Sequence, residues 1–228
     1  MKVGCLFSGG KDSNYTLFLA KKNNLDIKCL ISIIPKNEES YMFQSDGNNF
    51  LEYQAEALNI DLIKQISKGE KENELLDLKE AIKKAIKKYK IKAILTGAIK
   101  SIYQASRIQK ICDELNIFCI NPIWQIDEEE YLNELLKNKF EIIILSIAAY
   151  PLNKSFLGEI ITQNTKLKLI ELYKKFKISP IGEGGEFETF ILNSPLFNKK
   201  IKLIDFEKKM DSENSGKIII KKMELVKK

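Results

Sequence analysis

The stretch Ser8-Gly9-Gly10-Lys11-Asp12-Ser13 follows the short apolar run Val3-Gly4-Cys5-Leu6-Phe7. It precedes Tyr15, Leu17, Phe18 and Leu19, which recur at helical spacing to about Lys22. The order is strand, tight polar loop, helix. At such a junction a helix turns its unpaired N–H groups and its positive dipole end toward an anion. Gly9 and Gly10 remove side chains that would block a close approach. Lys11 adds a full charge, and Ser8 and Ser13 add hydroxyls. Asp12 would repel a phosphate unless a magnesium ion sits between them, and hard cations on phosphates take one or two protein carboxylates. The pattern predicts a site for the phosphates of ATP, with Asp12 as the magnesium ligand. The plainer alternative is a Gly-Gly turn before a helix capped by Asp12 or Ser13.

Neither G-x-x-x-x-G-K-[ST] nor G-x-G-x-x-G occurs here, so this is not a Walker loop or a dinucleotide fingerprint. The string resembles the loop of the PP-loop ATP-pyrophosphatase superfamily. That resemblance implies cleavage of ATP between its α- and β-phosphates.

Outward from the loop, strand and helix patterns alternate. Ile27–Ile34 is a nearly continuous isoleucine-rich run ended by Pro35, which reads as a buried strand. The polar segment after it contains Ser40-Tyr41-Met42-Phe43-Gln44, either a wall for adenine or substrate or a loop tucked onto the core. Leu51, Ala55 and Leu58 mark a helix, Leu62, Ile63 and Ile66 a strand, and residues 72–90 an amphipathic helix with lysines outside. Ala93–Thr96 is a strand running into Gly97-Ala98, followed by a helix holding Ser101, Tyr103, Gln104 and Arg107, and then by the strand Ile117–Ile120. The expected fold is α/β: a Rossmann-like parallel sheet with helices on both faces, followed by a smaller α+β domain. Ligands of such sheets bind at the carboxyl ends of the strands, which makes Thr96-Gly97 a candidate second wall of the nucleotide site.

Past Trp124 the pattern changes. Asp127 caps an expected helix to Lys137, with Glu128, Glu129 and Glu130 in its first turn. Phe140–Ala149 reads as a strand and Lys166–Phe176 as a helix. Phe187–Leu192, Lys200–Phe206 and Lys217–Val226 read as antiparallel strands, the last two joined by a loop at Asp211–Gly216. The expected domains are residues 1–125, binding ATP, and 126–228, binding substrate.

The 228 residues suffice for one large domain or two smaller ones with real cores. No apolar run is long enough for a bilayer. Met1-Lys2 leads straight into the first strand, so no signal peptide and a cytoplasmic location are expected. The net charge of +6 is a mild excess spread over lysine-rich faces, and Arg107 is the sole arginine, which argues against sequence-reading contacts with nucleic acid. Cys5, Cys29, Cys112 and Cys119 form no C-x-x-C pair, which argues against a zinc site, an iron–sulfur cluster or a disulfide framework. Histidine is absent, which excludes an imidazole base or a Ser-His-Asp triad.

A second dense stretch is Gly182-Glu183-Gly184-Gly185-Glu186-Phe187-Glu188-Thr189. Strand alternation puts Glu186, Glu188 and Phe190 on one face. Two carboxylates on one face could bind a cation or ammonium, or act as a base. An acidic glycine turn before a surface strand is the structural alternative.

This stretch, followed by Asn193-Ser194-Pro195-Leu196-Phe197, resembles the signature of the diphthine–ammonia ligase family. So do Ser40-Tyr41-Met42-Phe43, Gly97-Ala98-Ile99 with Ser101, Tyr103-Gln104 and Arg107, and Asn121-Pro122-Ile123-Trp124. The resemblance implies that diphthine on elongation factor 2, ammonium and ATP give diphthamide, AMP and pyrophosphate through an acyl-adenylate. It implies Lys11, Asp12, Glu183, Glu186 and Glu188 as catalytic residues, and Ser8, Gly9, Gly10, Lys11, Asp12, Ser13 and Gly97 as nucleotide-binding residues. It further implies Tyr41, Tyr103, Gln104, Arg107, Trp124, Gly184 and Gly185 as substrate-binding residues. Gln44, Pro151 and Glu159 depart from the family pattern in the substrate loops. The rival expectations are a tRNA-thiolating PP-loop enzyme, with Cys112 or Cys119 as a relay thiol, and a sensor that holds ATP or AMP without turnover. Homo-oligomerisation stays open.

Overall fold

The computed structural model describes residues 1–35, 50–67 and 73–228. The chain divides into two compact units, Met1–Gln125 and Ile126–Lys228.

The first unit is built on five strands: β1 (Lys2–Leu6), β2 (Asp26–Pro35), β3 (Asp61–Ser67), β4 (Ala93–Leu95) and β5 (Phe118–Ile120). Their order is β3-β2-β1-β4-β5, and every neighbouring pair is parallel. Four helices make the crossovers: α1 (Lys11–Lys22), α2 (Leu51–Leu58), α3 (Asn73–Tyr89) and α4 (Ile102–Glu114). Right-handed crossovers put α1 and α2 on one face and α3 and α4 on the other. The core agrees. Cys29, Ile31 and Ile33 of β2 pack in one cluster with Leu78, Ala81, Ile82 and Ala85 of α3 and Ile108, Ile111 and Cys112 of α4. Leu30 and Ser32, also buried, belong to the opposite face. Burial on both faces is why β2 reads as a continuous isoleucine run rather than an alternating one.

The order reverses at β1. The chain leaves β1 toward β2 and β3, then returns through α3 to β4 on the other side. The crevice beyond the carboxyl ends of β1 and β4 is therefore the topological switch point of the sheet, where open α/β folds bind their ligands.

The second unit contains α5 (Glu128–Lys137), β6 (Glu141–Ala148), α6 (Gln163–Phe176), β7 (Phe187–Asn193), β8 (Lys199–Ser212) and β9 (Ser215–Lys227). Its sheet is antiparallel, ordered β7-β6-β9-β8. Asp127 caps α5 as its sequence suggests, its Oδ1 accepting from the N–H groups of Glu129 at 3.0 Å and Glu130 at 2.9 Å. Lys166 of α6, nearly buried, donates to Asn133 Oδ1 of α5 at 2.6 Å and pairs with Glu129 at 3.4 Å. Helix α6 begins at Gln163, ahead of the expected Lys166, because Thr162 caps it through the Thr165 N–H at 3.3 Å. The expected loop Asp211–Gly216 shrinks to a turn at Glu213 and Asn214. Pairing between β8 and β9 continues to Ser212 and Ser215 and overrides the turn-forming composition. Among the described residues, no helix is long and apolar enough to cross a membrane.

Candidate active site

Gly10 is the N-cap of α1, in extended conformation, and no side chain caps this helix. Lys11, Asp12 and Ser13 thus form the first turn, and the alternative in which Asp12 or Ser13 caps the helix is not what the structure adopts. A helix start without a side-chain cap is the kind of terminus that receives an anion. Gly9 has a φ of +79°, a left-handed conformation that glycine adopts without a Cβ clash.

The loop is braced from behind. Its Gly9 carbonyl accepts from Gln54 Nε2 at 2.9 Å and Asn14 Nδ2 at 3.2 Å, and the Gly10 carbonyl accepts from Asn14 Nδ2 at 3.0 Å. The Gln54 Oε1 takes a further bond from Asn14 Nδ2 at 3.4 Å. Both amides are buried. Neither residue stood out in the sequence. The one signal is that Gln54 is a polar residue beside the Leu51, Ala55 and Leu58 stripe of α2.

At the front, Ser8 Oγ and Ser13 Oγ lie 3.4 Å apart, and the Ser13 hydroxyl donates to the Gly10 carbonyl at 3.2 Å. Lys11 is buried to 5% exposure, an unusual place for an ammonium, and its Nζ lies 3.0 Å from Asp12 Oδ1 and 3.1 Å from Oδ2. The pair sets a cation and an anion side by side at the helix start.

A cleft opens here. It is lined by Ser8, Asp12 and Ser13, by Ile31, Ser32 and Ile33 of β2, by Thr96, Gly97 and Ala98 after β4, and by Gln104 and Ile108 of α4. The loop after β1 and the loop after β4 are therefore its two walls. They are tied together: Thr16 Oγ1 of α1 donates to the Thr96 carbonyl at 3.5 Å, and Thr96 Oγ1 accepts from the Ala98 N–H at 3.1 Å. Gly97 is pressed against α1. A Cβ there would lie 2.9 Å from the Asp12 carbonyl carbon and 3.1 Å from Ser13 N.

The donor set suits magnesium. Among the described residues no group of three or more His, Cys, Asp or Glu side chains could hold a metal ion. Asp12 offers the cleft a single carboxylate beside two hydroxyls. A hard cation here would complete its shell with phosphate oxygens and water, which is the habit of magnesium on nucleotides.

The other sequence-predicted residues are distributed as follows. Gln104 lines the cleft. Tyr103 and Arg107, one turn apart on α4, stack on each other, with the guanidinium carbon 3.5 Å from the ring centroid. That ring face already holds a cation. Trp124 is half-buried in the turn after β5. Tyr41, together with Ser40, Met42, Phe43 and Gln44, lies outside the described residues.

In the second unit, Glu186 precedes β7 by one residue, so strand alternation does not place it. Its carboxylate closes the loop that contains it, accepting from the Ser179 N–H at 2.6 Å and the Gly184 N–H at 2.8 Å. Glu183 and Glu188 are half-buried, and Gly184 and Gly185 are exposed at the loop's tip.

The cysteines divide by environment. Burial pushes the Cys5 thiol well up and that of Cys29 up to about 12. Cys112 hydrogen-bonds to Cys119, which raises the Cys112 thiol and holds that of Cys119 below its ordinary value. Neither Cys112 nor Cys119 is among the cleft-lining residues.

Comparison with known proteins follows the two units. Residues 1–118 match the model of the diphthamide synthase N-terminal domain, and residues 127–226 match that of the diphthamide synthase C-terminal domain. A diphthine–ammonia ligase from Mus musculus is 32% identical over 94% of this chain and 87% of its own length. One from Schizosaccharomyces pombe is 33% identical over 96% of this chain, which spans 38% of that longer protein. A solved structure described as a predicted subunit of tRNA methyltransferase from Methanocaldococcus jannaschii covers 86% of this chain and 98% of its own. Its TM-score is 0.47 at 20% identity. With both domain models matched in chain order, this protein belongs to the diphthamide synthase family, whose relatives named here are diphthine–ammonia ligases.

Proposed function

We propose that the chain amidates diphthine on elongation factor 2 with ammonium, using ATP and releasing AMP and pyrophosphate. The observation that carries this reading is the cleft at the switch point. There an uncapped helix start, the Asp12 carboxylate paired with Lys11 behind it, and two serine hydroxyls meet Thr96 and Gly97, in a chain of this family.

The chemistry follows from the substrate. A carboxylate is a poor electrophile and lacks a good leaving group. Attack of its oxygen on the α-phosphorus of ATP makes an acyl-adenylate and expels pyrophosphate. Neutral ammonia then attacks the acyl carbon, AMP leaves, and one proton is released. Ser8, Gly9, Gly10 and Ser13 hold the departing pyrophosphate through N–H and O–H donors, and Lys11 balances its growing charge. This is positioning and electrostatic stabilisation, and it needs no covalent bond to the enzyme. Asp12 would hold magnesium, which supplies further charge neutralisation on the phosphates when bound. Gln104 extends the cleft wall, and Gly97 allows the two walls to approach.

Substrate choice draws on residues of both units. Glu183 and Glu188, with Gly184 and Gly185, receive the cationic diphthine side chain or ammonium, while Glu186 shapes the loop that presents them. Tyr103 and Arg107 act as a stacked pair on the substrate side of α4, and Trp124 supplies an aromatic surface. An elongation-factor substrate places the enzyme in the cytoplasm. A thiolation chemistry is less well supported, because Cys5 is buried with a raised pKa and Cys112 and Cys119 are not among the cleft-lining residues.

The test is a product analysis. With ATP, ammonium and diphthine-bearing elongation factor 2, AMP and pyrophosphate should form in equal amounts, and omission of any one reactant should stop both. ADP and phosphate as products would overturn the reading. Tight AMP binding without pyrophosphate release under any of these conditions would favour a sensor.

A further inference from the structure

We propose that Gln54 of α2 is a positioning residue for the phosphate loop: with Asn14 it fixes the Gly9–Gly10 peptide so that the Gly10 N–H faces the cleft. The inference rests on the phosphate reading of that loop.

A peptide unit between two glycines is the softest in a chain. Turning its plane over changes only ψ of the first residue and φ of the second, and no Cβ opposes either rotation. The two glycines that admit a phosphate therefore also admit the wrong orientation, in which a carbonyl oxygen faces the anion. Within Ser8–Ser13 the only bond that favours one of the two is the long contact of the Gly10 N–H with Ser8 Oγ at 3.4 Å, which a bound phosphate would replace.

Gln54 makes the selection. Its Nε2 donates to the Gly9 carbonyl at 2.9 Å, and Asn14 Nδ2 donates to the same oxygen at 3.2 Å. Gln54 is 0% exposed and Asn14 1%. In a trans peptide the carbonyl and the next N–H point in opposite directions. The carbonyl is held on the α2 side, so the Gly10 N–H is turned to the other side. It meets Ser8 Oγ, a cleft-lining group, at 3.4 Å. That bond is long, and a phosphate oxygen would displace it. The two amides also orient each other, since Asn14 Nδ2 donates to Gln54 Oε1. A buried primary amide beside the apolar stripe of a helix costs stability unless it is hydrogen-bonded, and here its donor is spent on the loop. Gln54 touches no ligand and acts through the peptide.

The experiment titrates magnesium pyrophosphate into the full-length wild type, Gln54→Met and Gln54→Glu by calorimetry, with circular dichroism as a fold control. Gln54→Met keeps the length of the side chain and loses the donor. Its pyrophosphate Kd should rise roughly fivefold to tenfold, with the KM for ATP rising in step, as for loss of one net hydrogen bond. Gln54→Glu adds a pH signature. Its ionised carboxylate repels the Gly9 carbonyl, and its protonated form donates to it, so its affinity relative to wild type should recover as the pH falls. A purely structural role would lower the melting temperature and leave the Kd of the folded protein and this pH ratio unchanged, which overturns the inference. Should the variants not fold, the wild type decides alone. Its Gly10 amide proton must shift on saturation with pyrophosphate in a 15N-labelled sample, and an unmoved Gly10 signal overturns the proposal. A wild type that binds no pyrophosphate takes down the phosphate reading and this inference with it. Equal binding by wild type and folded variants takes down the inference alone.

Discussion

Replacing Gly97 by alanine isolates the contact between the two walls of the cleft. Gly97 is not in the left-handed region, so its backbone admits alanine, and any effect comes from the added methyl group. That carbon would sit 2.9 Å from the Asp12 carbonyl carbon, 3.1 Å from Asp12 Cβ and 3.1 Å from Ser13 N. The closest approach falls about half an ångström short of ordinary contact at about 3.4 Å. Two of the three obstructing atoms are backbone in the first turn of α1, so they cannot turn aside as a side chain would. Either α1 or the strand exit after β4 must move. Overpacking of this kind costs about 1–3 kcal/mol. For a chain of this size each kcal/mol lowers Tm by roughly 2–4 °C, so calorimetry should show a fall of about 2–12 °C. The displaced atoms are those that present Asp12 and Ser13 to the cleft. The KM for ATP in a pyrophosphate-release assay should therefore rise by about tenfold, the equivalent of 1.4 kcal/mol. A Gly97→Ala enzyme with wild-type Tm and wild-type KM would refute the account of the cleft as a site closed by α1 against Gly97.

Other perturbations probe separate elements. Asp12→Ala should lower AMP formation by roughly 100-fold or more while the circular dichroism spectrum stays native; near-wild-type turnover would remove Asp12 from the site. Glu186→Ala strips a charged acceptor from the Ser179 and Gly184 amides, bonds of a type that contribute about 1.5–3 kcal/mol each. Limited proteolysis should then cut between residues 179 and 186 faster than in wild type, and an unchanged cleavage rate would show that the loop does not depend on this carboxylate. Iodoacetamide near pH 8 should label Cys119 before Cys5, Cys29 or Cys112, because its lowered pKa gives it the largest thiolate fraction. Cys112→Ala should slow that labelling by removing the bond responsible, and peptide mass spectrometry reads both results. Asp127→Ala should destabilise the second unit by about 0.5–2 kcal/mol through loss of the α5 cap, seen as a lower urea midpoint for that unit.

The legible parts of the chain were those whose cause is local. Ser8–Ser13 announces itself because glycines, a lysine and hydroxyls are residue types suited to act on a ligand directly, at a junction that the flanking periodicities mark. Strand β2 is visible because burial on both faces leaves a run of isoleucine. Asp127 is visible because a cap and its helix are contiguous. Gln54 was not legible, since its partner is a carbonyl oxygen 45 positions away in the sequence and backbone atoms leave no trace in residue types. The same holds for Glu186. Its composition suggested a cation or a base, but its partners are two amide hydrogens of its own loop. The hairpin between β8 and β9 shows the opposite failure. Asp211-Ser212-Glu213-Asn214-Ser215-Gly216 has the composition of a loop, yet cross-strand pairing reaches Ser212, Ser215 and Gly216, with a register irregularity at Asp211, and leaves only Glu213 and Asn214 as the turn. Local preference there loses to the ladder.

All of the residues that line the cleft fall between Leu6 and Ile108, inside the unit that ends at Gln125. Under the proposed function, the groups that take the nucleotide thus lie apart in sequence from Glu183 and Glu188, which would act on the acid to be activated. On that reading a lesion beyond Ile126 would silence the reaction while leaving a chain that still captures ATP. Such a chain would sequester its co-substrate and release nothing, so in a mixture of intact and damaged enzyme it acts as a competitor and not as a bystander.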